Sequence, residues 1–106
     1  MSNGVLGASD LSAATDTIVY TVPTDTFAVI TINIVNRGAS TATVRLALAT
    51  ANTPNNSEYI EYEAQVLPGG VLERTGVVVE ADRNVIVRSS AAGAGAMVYG
   101  LETATA

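Results

Sequence analysis

The chain has no cysteine, no histidine, no tryptophan and no lysine among its 106 residues. Each absence closes off some chemistry. Without Cys, no disulfide can staple the fold and no thiolate can attack a substrate. Without His, neither a Ser-His-Asp nor a Cys-His nucleophile can be assembled within the chain. A zinc centre built from Cys and His is excluded for the same reason. No lysine is present to form a Schiff base. Charge is sparse as well: 14% of residues are charged, against about 25% in a typical soluble protein. The five cations are all arginine, the carboxylates number ten, and the formal net charge is −5. Nucleic acid and anionic membrane surfaces both demand a clustered Lys/Arg footprint. Arg37, Arg45, Arg74, Arg83 and Arg88 are scattered instead, so neither partner is expected. Residues 1–17 lack a basic stretch followed by a long apolar one, so they do not read as a secretory signal. The most apolar stretch, residues 27 to 35, is interrupted by Thr31 and Asn33, and a spanning helix needs about 20 apolar residues.

What is abundant is β-branched. Val, Ile and Thr make up 33 of the 106 residues. These side chains fit a pleated surface and lose rotamer freedom in a helix. A chain of this length is one domain, able to bury roughly 65% of its unfolded surface. Small β domains normally use long charged side chains to stay soluble and to guard their edges. Their scarcity here suggests that other subunits cover part of the surface.

Alternation and turn signals divide the chain into short strands. Residues 1–16 read as an N-terminal arm or a loosely packed first strand, with the apolar residues Val5, Leu6 and Leu11 available to dock on a neighbour. Strands are then expected over residues 17–22, 26–36, 41–49, 58–67, 71–80, 84–89 and 96–102. The breaks fall at Pro23, at 36–38, at the Asn-rich 52–56, at Pro68-Gly69-Gly70, at 81–84 and at the low-complexity 90–95. Gly76 marks a possible bulge. The reading is an all-β fold, a single β-sandwich or jelly-roll-like domain of about seven or eight antiparallel strands over residues 17–103, with a short tail at 104–106. Along residues 26–36, Ala28, Ile30, Ile32 and Ile34 share one face, and Phe27, Val29 and Val35 share the other. Two apolar faces on one strand mean either a strand covered on both sides or a subunit interface, because the outer face of a two-layer sandwich should be polar. Tyr59 falls out of phase with Ile60 and Tyr62 and reads as an exposed contact.

Candidate chemistry is thin. Glu61 and Glu63 would share a strand face about 7 Å apart, a separation a glycosidase pair could use. However, aromatic residues to line a sugar cleft number only five, and a face relieved by Arg45 or Arg74 is the simpler reading. Calcium could use oxygen ligands in 52–58 or 81–84, but neither stretch has an EF-hand pattern. The glycine pairs are followed by no Gly-Lys-Ser/Thr and open no helix, so they are turns rather than phosphate loops. No catalytic, cofactor-binding or metal-ligating residue is assigned. The expected partner contacts are Val5, Leu6, Leu11, Phe27, Val29 and Tyr59.

Several elements follow one another in a familiar order: Leu6-Gly7, Val19-Tyr20-Thr21-Val22-Pro23, Asn36-Arg37, Val44-Arg45, the pair Tyr59 and Tyr62, a Leu-Pro-Gly-Gly turn, and a closing Val98-Tyr99-Gly100-Leu101-Glu102. In this order the chain resembles small structural proteins of tailed-bacteriophage virions, over most of its length. The resemblance implies a non-enzymatic β-sandwich on the particle. It points to a capsid decoration (cement) protein that binds the major capsid protein lattice as a homo-oligomer, in the virion after assembly in the host cytoplasm. It equally covers tail, neck, baseplate or fibre-associated components. A carbohydrate-binding module for host attachment is the rival from a different class. The resemblance carries over no catalytic residue.

Overall fold

A computed structural model describes residues 3–105. It contains eight strands: β1 (Asn3–Asp10), β2 (Thr17–Thr21), β3 (Thr26–Asn36), β4 (Ala42–Ala49), β5 (Tyr59–Val66), β6 (Val71–Val79), β7 (Asn84–Ser89) and β8 (Ala94–Ala104). One 3-10 turn, Asn56–Glu58, precedes β5. The strands form two antiparallel four-stranded sheets, sheet one in the order β1-β8-β3-β6 and sheet two in the order β2-β7-β4-β5. Only β4 and β5 are joined within one sheet; every other connection crosses between the layers. That strand order is the double Greek key of a jelly roll.

The inner faces follow the alternation in the sequence. On β3, Ala28, Ile30, Ile32 and Ile34 are buried. They meet Val44, Leu46, Val85 and Val87 from sheet two in one continuous core. Of the two readings of the N-terminal residues, arm or first strand, the strand holds: residues 3–10 are the outer strand of sheet one and pair with β8 from Asn3↔Leu101 to Asp10↔Gly95. Leu11 follows it into the core, 3% exposed, and its N–H donates to the Ala94 carbonyl at 2.9 Å. Residues 1 and 2 lie outside the described residues. Likewise β8 starts inside the expected loop and runs through Ala104, because its N-terminal residues pair with β3 from Asn36↔Ala94 and its C-terminal ones as far as Thr26↔Ala104. Gly7 is dictated by close approach: a Cβ there would lie 2.2 Å from the Val19 carbonyl oxygen, where β1 passes over β2.

One end of the sandwich is organised by a buried polar residue. Asn36 is 1% exposed. Its Nδ2 donates to the carbonyls of Ser40 at 2.8 Å and Val66 at 3.0 Å, and its Oδ1 accepts the Gly38 N–H at 2.9 Å. Its backbone completes the set, with Asn36 N–H to Gly70 O at 3.0 Å and Gly69 N–H to Asn36 O at 2.8 Å. The Leu-Pro-Gly-Gly turn is closed by Gly70 N–H to Leu67 O at 2.7 Å, and Gly69 takes the positive φ, +74°, that such a turn requires. Asn36 therefore holds both the β3–β4 and the β5–β6 crossovers. At the other end, the Tyr20 hydroxyl of sheet two donates to Glu102 of sheet one at 2.5 Å. Burial, then the bond to the Glu102 carboxylate and its charge, hold the Tyr20 hydroxyl well above its ordinary titration range.

Two predictions follow from these ties. Asn36→Ala removes three side-chain hydrogen bonds and strands their partners away from water, and should lower the unfolding free energy by about 3 kcal/mol in urea titrations. Because the folded-state pKa of Tyr20 is raised, its contribution is complete below the ordinary tyrosine value of 10.0 and is lost as pH rises past it toward the folded value. Wild-type stability should therefore fall above about pH 10, and Tyr20→Phe should make that fall shallower in urea midpoints measured across the range.

Candidate functional site: the outer face of sheet one

The outer face of sheet one carries large apolar side chains around a polar middle of Thr31, Asn33 and Glu73. Among the described residues ten large apolar side chains are exposed, and six of them lie on this face: Val5, Val29, Val71, Val78, Met97 and Leu101. Cross-strand pairing sets them in rows. Leu101 pairs with Val29, and Val29 with Val78. Val5 pairs with Tyr99, Ala8 with Met97, and Val35 with both Gly95 and Val71. Phe27 and Tyr99 are half-buried within the same surface. No element among the described residues covers it, although a two-layer sandwich normally keeps such a face polar. Around Gly95 the surface sinks into an open depression of about 530 Å³, with Ala8, Val35, Val71 and Met97 in its lining and Asp10 and Arg37 also bordering it.

Of the contact residues expected from sequence, Val5, Phe27 and Val29 come together on this face. The other three do not. Leu6 turns inward against the core, because a bulge between Val5 and Gly7 shifts the β1 register. Leu11 is a core residue. Tyr59 lies on the outer face of sheet two and is half-buried, pairing with Ala47. Sequence reasoning missed Val71, Val78, Met97 and Leu101. On β8 the size order is inverted: small Ala94, Ala96 and Val98 look inward, while Met97, Tyr99 and Leu101 look out. The Met-x-Tyr-x-Leu alternation carried that signal. On β6 the bulge at Gly76, with φ +66°, hid the phase of Val78.

The opposite face, on sheet two, is polar and aromatic. Arg45 makes two hydrogen bonds to Glu63, at 3.0 and 3.1 Å. Its guanidinium also lies 4.5 Å from the centroid of the Tyr62 ring, and Tyr59 meets that ring edge-on at 5.0 Å. One face of the exposed ring is thus covered by the guanidinium. Two bulges in β5 bring Tyr59 and Tyr62 onto one face. They also separate the glutamates that a regular strand would place side by side. Glu63 takes a φ of +55° and faces Arg45. Glu61, opposite core residue Leu46, turns between the sheets and pairs with Arg74 of β6.

All five arginines are engaged in this way. Arg37 pairs with Asp10 at 2.5 Å, Arg83 with Glu58 at 3.2 Å and Glu80 at 3.7 Å, and Arg88 with Asp16 at 3.8 Å. Among the described residues no group of three or more Asp, Glu, His or Cys side chains is placed to hold a metal ion, and no helix is long and apolar enough to cross a membrane. Comparison with protein-family models, with curated proteins and with solved structures gave no match for this chain.

The Glu58 carboxylate caps the 3-10 turn. It accepts the Asn55 N–H at 2.8 Å and the Thr50 N–H at 3.1 Å. These bonds, the Thr50 hydroxyl and nearby Arg83 hold it below the usual carboxylate range. A lowered folded-state pKa gives stability that is present above the ordinary value of 4.5 and lost as pH falls through the folded one. Urea midpoints should therefore drop on acidification below about 4.5, and Glu58→Gln should make the drop shallower.

Proposed function

We propose that the protein is a non-enzymatic structural component of a tailed-bacteriophage particle, a capsid decoration protein that binds the major capsid lattice as a homo-oligomer. The observation that carries this reading is the apolar outer face of sheet one. A lone domain leaves that face in water; an assembly covers it. A contiguous exposed apolar surface on a small domain marks an interaction site rather than a catalytic one. The exclusions in composition point the same way, since the chain has no His, Cys or Lys to run the common nucleophilic and metal chemistries. The pairing of every arginine favours a protein partner over nucleic acid. The resemblance of the Leu6-Gly7, Tyr20-Thr21-Val22-Pro23 and Val98–Glu102 segments to small virion proteins supplies the setting. Weak contacts repeated on a symmetric shell add by multivalency, so a modest interface per subunit is enough.

Mass spectrometry and cryo-electron microscopy of intact particles test the reading. The expected result is high copy number at repeated positions on the shell. A few copies along the tail axis would move the protein to the tail, neck or baseplate. Its absence from the particle would overturn the structural role.

A further inference from the structure

We propose that the outer face of sheet one is a two-fold contact with a second copy of this chain, packed sheet on sheet, with the Leu101 end of one copy seated in the Gly95 depression of the other. The inference deepens the homo-oligomer of the proposed function by naming its contact, and does not require the particle role.

The edges of the sandwich are closed to strand addition. All four edge strands carry register shifts: β1 between Val5 and Gly7, β2 between Ile18 and Tyr20, β6 opposite Ile30 and Ile32, and β5 at two positions. The pairs between inner strands, β3 with β8 and β4 with β7, run without a shift. Bulges twist an edge away from a second chain, and an inward charged residue such as Arg74 has the same effect. Association is therefore barred at the edges and left open on the face.

That face is complementary to itself. Ile32 and Val98, core residues, pair directly beneath its centre. A two-fold axis lying across the strands above this pair exchanges positions equally spaced on either side. It brings Leu101 onto Gly95, Val29 onto Val35, Tyr99 onto Met97 and, nearest the axis, the polar Thr31 onto Asn33. At one end of the face Val5, Val78 and Leu101 stand out, at 63, 66 and 56% exposure, and Val71 at the other end is 56% exposed too. That other end holds the depression around Gly95. A contact of this symmetry buries each raised end in the partner's depression, twice over, as an isologous interface requires. The twist between packed sheets, about 30°, moves the overlap by about one strand spacing, which the depression spans from β1 to β6. Four strands of about eight residues present roughly 500 Å² each, so two copies bury about 1,000 Å², the size at which specific interfaces begin. Charge poses no obstacle: Arg37 and Asp10 at the rim are paired with each other, and Glu73 accepts the Tyr99 hydroxyl at 3.1 Å.

Sedimentation equilibrium of the purified chain over the micromolar range reads the contact. Wild type should dimerise, and Leu101→Lys should raise the dissociation constant at least about tenfold. Gly95→Leu should do the same by filling the seat. The fold has room for it, since a Cβ there meets nothing nearer than the Ser9 carbonyl at 3.6 Å. Leu101→Ala added to Gly95→Leu should recover part of the loss, large for small. Tyr62→Ser on the opposite sheet should change nothing, and far-UV circular dichroism should be unaltered throughout. A wild type that stays monomeric, an odd-numbered oligomer, or a dimer indifferent to both substitutions would overturn the proposal. A monomer that is nonetheless abundant on particles sinks this contact and the homo-oligomer, and leaves the particle role standing. A sensitive dimer absent from particles sinks only the particle role.

Discussion

The sandwich depends on how its sheet-to-sheet crossovers are held, and at one end a single amide holds two of them. Asn36 fixes the β3–β4 and β5–β6 connections through five hydrogen bonds, three from its side chain and two from its backbone. A buried amide is costly unless its groups are satisfied, and here both ends of the side chain are. An apolar residue at this place could fill the volume but could not specify where either turn lies. The Tyr20–Glu102 bond gives the other end a second tie between the layers. With the ends pinned, the core between them is built from Ala, Val, Ile and Leu, with Tyr20 the one aromatic buried in it.

This placement leaves the molecule with two unlike outer surfaces. On sheet two, Arg45, Glu63, Arg88 and Asp16 satisfy one another and Tyr62 lies under a guanidinium. That surface is at ease in water. On sheet one the outward positions add exposed Val, Leu and Met side chains around Thr31, Asn33 and Glu73. Burying such side chains contributes about 25 cal/mol per Å² of apolar area, so the free energy of association is concentrated on one face. The bulged edges channel it there. Open edges would allow unlimited growth by strand pairing, whereas a face-to-face contact closes on itself.

Most of the fold was legible in the sequence because alternation of period two survives wherever a strand is regular. The bounds of β3 and β7 fall where Thr26 to Asn36 and Asn84 to Ser89 place them. The misreadings cluster at bulges. One extra residue in β1 turned Leu6 inward; of two in β5, one joined Tyr59 to Tyr62 and the other split Glu61 from Glu63. Period-two arguments fail at such points because a one-residue shift sends every later side chain to the other face. The candidate surface was half legible: Phe27 and Val29 announced a second apolar face on β3. Its continuation on β8 was obscured by the expectation that the larger residues of a strand point inward.

The sparse charge that sets this chain apart finds its physical reason in the same arrangement. Each arginine is matched to a carboxylate within the domain, so almost no cationic surface remains for long-range attraction. An interface that lacks free charge gains little from electrostatic steering and loses little to salt screening. Its strength comes from apolar area and shape, repeated by symmetry. Lysines would have guarded the edges and kept the domain soluble alone. Bulges guard the edges here instead, and no lysine interrupts the outer face of sheet one, which leaves it open to the proposed contact between copies.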